Sequence, residues 1–288
     1  MAPRINNGRE RLGANGIHKP HRSVPTQLAV IWQRVQWFVS DVKVKSVAAL
    51  FFSLIVSAAG ATPTPQEEVM LSAAKAGNVE LYRAMLKAGA NYGARDDSGN
   101  NAVVFAALSD RDEMLREVLT HKIDLDARGS LGMTALGIAT AHNALQAVDR
   151  LLRAGANPDI ADASGVTPLA SALRLGRPQL AARLLAAGAD PRRADAEGVT
   201  PLHVAAEHGD AAMTTVLLDH GADPNALDQE RRSALFMALL NHHPQVAAIL
   251  VQRDQTNVRL PTQGYSPKHW AQLMGYEDIA RLIDERLR

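Results

Sequence analysis

A fixed spacing of 33 residues runs through most of this chain and constrains its fold more than any other feature. One column of the repeat is alanine in seven successive units: Ala73, Ala106, Ala139, Ala172, Ala205, Ala238 and Ala271. A second column holds glycine in five units: Gly99, Gly132, Gly165, Gly198 and Gly264. Self-similarity at this period indicates stacked repeats, in which each unit covers the apolar face of the next.

The composition favours a helical form of such a stack. Aromatic residues make up only 4% of the 288 residues, so the core has to be built mainly from alanine, leucine and valine. Small side chains let helices approach closely, whereas the strands of a sandwich or barrel favour aromatic and β-branched residues. The composition therefore predicts an all-α fold.

The best-formed unit begins with a turn signature. Asp195–Ala206 reads Asp-Ala-Glu-Gly-Val-Thr-Pro-Leu-His-Val-Ala-Ala, and Asp162–Ala172 repeats its Thr-Pro-Leu segment at the same register. This pattern resembles the ankyrin repeat over about residues 66–288. The resemblance implies an all-α solenoid of stacked helix–turn–helix units, with no second domain. The units are expected to start near residues 66, 96, 129, 162, 195, 228 and 261.

The motif side chains have physical reasons for their positions. Thr167 and Thr200 can cap the first helix of their units through a hydroxyl group. Pro168 and Pro201 follow them in the first helical turn, where no amide hydrogen is needed. The resemblance implies that His203 hydrogen-bonds turns, so it is assigned to structure rather than to catalysis. The alanine column is predicted to face the neighbouring unit, where small side chains permit close helix contact.

Residues 46–61 have the layout of a secretory signal peptide. Two lysines precede the apolar run Val47–Ala59, and Ala59-Gly60-Ala61 then places small residues at a cleavage site. The run of 13 residues is shorter than the roughly 20 that a spanning helix needs, although an uncleaved anchor is the alternative. Residues 1–45 are interpreted as a disordered or mis-called N-terminal extension.

The leader predicts an exported protein, in the periplasm of a bacterium. A membrane-anchored product that faces the periplasm and a fully secreted protein are the alternatives. After residue 45 the chain carries 23 basic and 28 acidic residues. A mildly acidic body does not favour a nucleic-acid partner.

Signatures of catalysis and metal binding are missing from the sequence. The chain has no cysteine, which excludes thiolate nucleophiles, disulfides and cysteine-ligated zinc. It contains no P-loop and no GxSxG, GxGxxG or HExxH motif. Asp162, Asp195 and Asp228 recur at one turn position and are interpreted as turn formers. No cofactor, metal site or enzymatic activity is therefore expected.

Apolar turn residues form the candidate binding surface. Met133, Val166 and Val199 follow the motif glycine in three consecutive units. With Leu131 and Leu175 nearby they would form an exposed stripe, a feature that often marks a contact site. Partial burial of the three by turn packing is the alternative. Polar residues around the stripe would form the rim of an interface: Arg174, Glu197, Glu207, His208 and Arg232.

The function predicted from these features is non-catalytic protein–protein interaction. In the ankyrin family, partners bind the concave face of turns and first helices, where the stripe lies by register. We expect a monomer that holds a protein partner, with membrane contact only through an uncleaved leader. A secreted effector that binds host proteins is the first alternative. The second alternative is a metal-dependent or hydrolytic module, for which His203, Glu207 and His208 are the candidate cluster of side chains.

Overall fold

The computed structural model describes residues 62–108 and 112–288. Within these residues fourteen α-helices follow one another in seven pairs, and no β-sheet is formed. The first helices of the pairs are α1 (Pro65–Ala76), α3 (Ala102–Leu108), α5 (Ala135–Ala141), α7 (Pro168–Arg174), α9 (Pro201–Glu207), α11 (Ala234–Leu240) and α13 (Pro267–Leu273). The second helices are α2 (Val79–Lys87), α4 (Asp112–Val118), α6 (Leu145–Arg153), α8 (Pro178–Ala186), α10 (Ala211–Asp219), α12 (Pro244–Gln252) and α14 (Glu277–Leu287).

Hydroxyl side chains start most of the first helices. Thr167 Oγ1 accepts a hydrogen bond from the Ala170 amide at 3.2 Å, and Pro168 is the first residue of α7. Thr134 and Ser233 cap α5 and α11 in the same way. These two belong to the same column as Thr167 but lack a following proline, so the Thr-Pro signature alone does not reveal them.

The alanine column lies at the centre of the stack, as predicted. All seven of its members are at most 2% exposed, and each first helix contacts the first helix of the next unit. Leu151, Leu184 and Leu217 on the second helices are fully buried beneath them. One continuous apolar core therefore runs through all the units, which is how single repeats too small to fold alone are stabilised.

Charged pairs connect the second helices on the other side of the stack. Three of them join residues 34 positions apart: Arg83 with Glu117, Asp149 with Arg183, and Asp219 with Arg253. Such exposed pairs typically contribute about 0–1 kcal/mol each. The second helices are therefore held mainly by apolar packing, with the ion pairs adding a little.

The predicted leader, residues 46–61, lies outside the described residues. Among the helices that the structure does describe, none is long and apolar enough to cross a bilayer.

Candidate protein-binding face

An aspartate and backbone hydrogen bonds close each well-formed turn. Asp195 Oδ1 accepts from the amides of Glu197 and Val199, both at 2.9 Å, and the Asp195 amide donates to the Val199 carbonyl at 3.1 Å. Asp162 Oδ1 accepts from the amides of Ser164 and Val166, and Asp228 Oδ1 accepts from the Arg232 amide. The three aspartates are therefore turn formers, as their recurrence predicts.

Successive turns are hydrogen-bonded to one another at their tips. Three bonds from amide to carbonyl join the turns of units 3 to 6: Ala163 to Leu131 at 3.0 Å, Ala196 to Ser164 at 3.2 Å, and Gln229 to Glu197 at 2.9 Å. The first helices of the same units also contact one another in sequence. We name this continuous surface the turn face; it comprises residues 129–142, 162–175, 195–208 and 228–241.

His203 connects the turn of its own unit to the next turn. Its side chain is buried, and Nε2 lies 3.0 Å from the Arg232 carbonyl oxygen. A carbonyl oxygen only accepts, so Nε2 carries the hydrogen and Nδ1 accepts from the Thr200 amide at 3.2 Å. Burial is the main effect on His203, and it lowers the pKa despite opposing effects of the Arg232 carbonyl and Asp228. This neutral, fully bonded ring has the geometry that a turn-bonding role requires.

Thr200 and Pro201 complete this junction. Thr200 is the N-cap residue of α9, and its hydroxyl oxygen lies 2.8 Å from His203 Nδ1. Pro201 begins α9 and is buried, as Pro168 is in α7. All of these side chains face inward, so the motif residues support the turn face rather than form its outer surface.

The predicted apolar stripe is only partly exposed. Leu131 and Leu175 are 78% and 48% exposed. Met133, Val166 and Val199 are half-buried, and Met133 and Val199 pack against the core. This differs from the expectation of an exposed stripe. The residue after the motif glycine bonds back to the start of its turn, which holds its side chain against the helices.

The two arginines of the predicted rim bind carboxylates of the turns. Arg174 forms an ion pair with Asp195, whose side chain is almost completely buried. Arg232 Nε lies 2.7 Å from Asp228 Oδ2, and its Nη1 lies 3.0 Å from a Glu230 carboxylate oxygen. The hydrogen bond to Asp228 is the main reason that the pKa of Arg232 is raised. Both guanidinium groups therefore stabilise turns through ion pairs within the fold.

The remaining rim residues point into solvent. Glu197, Glu207 and His208 are exposed, and their side chains make no hydrogen bond or ion pair within residues 62–108 and 112–288. No set of three or more metal-ligating side chains comes together in the same part of the chain. His203 is buried with both ring nitrogens bonded, so it does not converge with Glu207 and His208 on one site.

The turn of unit 3 is built differently from those of units 4 to 6. Gly129 stands where its neighbours have aspartate, so no carboxylate closes this turn. Asn100 of the preceding unit acts instead: its Oδ1 accepts from the Ser130 amide at 2.9 Å, and its Nδ2 donates to Ser130 Oγ at 3.1 Å. Leu131 follows with a φ of 59°, a left-handed value that leucine adopts at a cost of roughly 1 kcal/mol. The most exposed large apolar side chain of the described residues therefore lies on strained backbone.

Two contacts across units were not predicted from the sequence. Arg177 donates to the carbonyls of Thr140 and Ala141 at the end of α5. His243 Nε2 lies 2.9 Å from the Glu207 carbonyl at the end of α9. Both residues directly precede a second helix and occupy the same position of the repeat. The unit directly before them and the unit between them have alanine and aspartate at that position. That mixture hides the shared role of binding the last carbonyls of the neighbouring helix.

Comparison with known proteins agrees with this architecture. No curated protein matches the sequence. One similar solved structure is the complex of the predatory endopeptidase Bd0816 from Bdellovibrio bacteriovorus with the immunity protein Bd3460. The match is 25% identical in sequence, covers 65% of this chain and 98% of the other, and has a TM-score of 0.57. The family model "Ankyrin repeats (3 copies)" matches residues 69–162, 136–228 and 202–286, and the chain therefore belongs to the ankyrin repeat family.

Proposed function

We propose that this chain is a non-catalytic scaffold that binds a protein partner on the turn face. The distribution of exposed apolar side chains carries the proposal. Of the ten large apolar side chains that are exposed within the described residues, only Leu81 and Leu287 lie on second helices. Leu131, Leu175 and Leu240 lie on the turn face. Apolar side chains kept exposed on one side of a soluble protein commonly mark a contact surface.

The surroundings of these leucines fit the same function. Glu197, Glu207 and His208 provide a polar, solvated rim around the apolar centre, which is the usual anatomy of a protein interface. The bonds between turn tips hold the surface in one conformation. A preordered surface loses less conformational freedom on binding, so more of its contact energy contributes to affinity.

An exported hydrolase is the class of partner to test first. The similar solved structure contains an immunity protein in complex with an endopeptidase. That complex supports a folded enzyme as a partner for this chain, although the chain itself is proposed to have no catalytic role.

We also propose that the protein acts in the periplasm, with residues 46–61 as the export signal. The apolar run and its small flanking residues support this location. N-terminal sequencing of protein from the native host should find a first residue near Thr62. A soluble cytoplasmic product that retains residues 1–45 would contradict export, and a membrane-bound product beginning upstream of Val47 would indicate an anchor.

Photo-crosslinking in the native host tests the binding surface. A photoreactive amino acid at Leu175 should give a covalent adduct with a partner protein, identifiable by mass spectrometry. The matched control is Gln179, an exposed residue at the start of the second helix of the same unit. Adducts at Gln179 and none at Leu175 would place the interface on the second helices and overturn the proposal.

A further inference from the structure

Charge is distributed unequally between the two sides of units 3 to 6. The turn face carries six acidic residues: Asp162, Asp195, Glu197, Glu207, Asp228 and Glu230. It carries three basic ones: Arg174, Arg231 and Arg232. The second helices and loops of the same units, residues 143–161, 176–194, 209–227 and 242–260, hold seven acidic and eight basic residues. The acidic excess of these units therefore lies on the turn face.

Two of the three arginines are already neutralised within the fold. Arg174 is paired with the buried Asp195, and Arg232 with both Asp228 and Glu230. A partner would have to break these bonds to use either guanidinium group. Arg231 is exposed at the tip of the unit 6 turn, at one end of the row. The positive charge that the turn face offers to a partner is therefore small and lies at its edge.

Two exposed carboxylates remain for a partner, because the partly buried Asp162 accepts amide hydrogen bonds within its turn. Glu197 is exposed at the tip of the unit 5 turn and forms no ion pair in the part of the chain that the structure describes. Glu207 is exposed at the end of α9 and also forms no ion pair among the described residues. Arg232 is already paired with Asp228 and Glu230. Glu197 and Glu207 consequently keep an uncompensated negative charge.

These carboxylates stand beside the apolar part of the surface. Leu175 ends the first helix of unit 4, and the half-buried Val199 lies between Glu197 and the start of α9. The unit 3 portion, residues 129–142, contains no acidic residue, lysine or arginine and presents Leu131. The surface therefore passes from an uncharged apolar portion in unit 3 to an acidic portion in unit 5.

We propose, on the basis of the function proposed above, that the turn face binds a basic protein segment with a large apolar side chain at its centre. The apolar side chain would cover Leu175, and Leu131 would extend the apolar contact at the uncharged portion of the face. Lysine or arginine residues beside it would meet Glu197 and Glu207. Complementary charge favours encounter and disfavours wrong partners, and an acidic segment would bring like charges together on this surface.

Selection from a random peptide library displayed on phage tests the proposal on the purified full-length chain. The enriched peptides should carry a net positive charge and a central leucine, methionine or aromatic residue. Binding of a synthetic enriched peptide should weaken about tenfold or more when Glu197→Lys and Glu207→Lys are combined. Raising sodium chloride from about 0.05 M to about 0.5 M should weaken it too, because exposed charges are screened.

A matched charge reversal separates a specific site from general attraction of cations. Glu80→Lys combined with Glu285→Lys changes the net charge equally but alters exposed residues of second helices. This control should bind the peptide as the unaltered protein does, and Leu175→Ser should lose binding. Enrichment of acidic or neutral peptides, enrichment of none, or equal weakening by both charge reversals would overturn the proposal.

The crosslinking experiment distinguishes failure of this inference from failure of the proposed function. If a native partner crosslinks to Leu175 through a neutral or acidic segment, the basic-segment proposal is contradicted and the proposed binding function still stands. If a partner crosslinks only to Gln179, both the basic-segment proposal and the proposed binding surface are contradicted.

Discussion

The turns of units 3 and 5 occupy the same register but are closed by different means. In unit 5, Asp195 closes the turn from within, and His203 ties it to the next unit. In unit 3, Gly129 has no side chain to do so, and Asn100 of the neighbouring unit supplies the hydrogen bonds. A turn at this register therefore does not require the same side chains, provided that its polar groups find partners.

The difference also separates structural residues from candidate contact residues. Asp195 and His203 of unit 5 direct their polar groups into the turns, and His203 is 1% exposed. The unit 3 turn instead exposes a leucine at a left-handed φ. Strained residues persist where the surrounding structure fixes them, and they concentrate at functional sites. Substitution of the buried motif histidine in unit 5 should consequently affect stability, whereas substitution of the exposed leucine in unit 3 should affect binding.

The largest effect on stability is expected from His203→Ala. The substitution leaves the Thr200 amide and the Arg232 carbonyl without their partner, which should lower the free energy of unfolding by about 1–3 kcal/mol. Urea unfolding measures the loss. His269, an exposed residue of the same column, is the control, and His269→Ala should change stability by less than about 0.5 kcal/mol. Equal losses at both positions would show that burial and bonding do not distinguish the two histidines.

A smaller loss is expected when the unit 3 turn is changed toward the motif. A β-carbon at Gly129 would lie 2.1 Å from Asn100 Oδ1, so Gly129→Asp must displace the side chain that closes this turn. We expect a loss of about 1–2 kcal/mol, although substitution toward a repeat consensus usually stabilises. Adding Asn100→Val, which introduces the valine that units 4 and 5 have at the equivalent positions 166 and 199, should recover part of the lost stability. If the two substitutions instead lowered stability additively in this double-mutant cycle, the aspartate introduced at position 129 would not be replacing Asn100 in closing the turn.

Acid should weaken the unit 5 junction by a still smaller amount. The pKa of His203 is lower in the folded protein than in the unfolded chain, where it is about 6.5. Below that pH the unfolded state binds more protons, so stability falls by at most about 1.4 kcal/mol per pH unit until the folded pKa is passed. Above about pH 6.5 this contribution is fully present. Urea unfolding of His203→Ala should show a shallower loss between about pH 6.5 and 5 than the unaltered protein.

The smallest effect on stability is expected at Leu131. Glycine adopts the left-handed conformation freely but loses more entropy on folding, so Leu131→Gly should change stability by less than about 1 kcal/mol in either direction. Binding of a partner to the turn face should nevertheless fall. Leu131→Ser keeps the strain and removes the apolar group, so it should lose binding to the same extent. Full affinity in both variants, measured by titration, would show that Leu131 is not a contact residue.

Much of the fold follows directly from the sequence. The alanine column, the capping threonines and the turn aspartates each act within one unit or against its nearest neighbour, so their register fixes their surroundings. The candidate site was predicted less completely. Arg174 and Arg232 were expected to face solvent. The repeat register shows which residues occupy equivalent positions in the units, but it does not show which carboxylate a long, flexible side chain reaches. The partner-binding roles of the predicted residues stay predictions.

The sequence by itself determined the period, the helix pairs and the inward motif residues, because each depends on local bonding repeated every 33 residues. The tertiary structure decided which polar and apolar groups remain available. It half-buries Met133, Val166 and Val199, pairs two arginines internally, and exposes Leu131, Glu197 and Glu207. The physical reason is that exposure and ion pairing depend on the distance between side chains of stacked units, which no single repeat specifies.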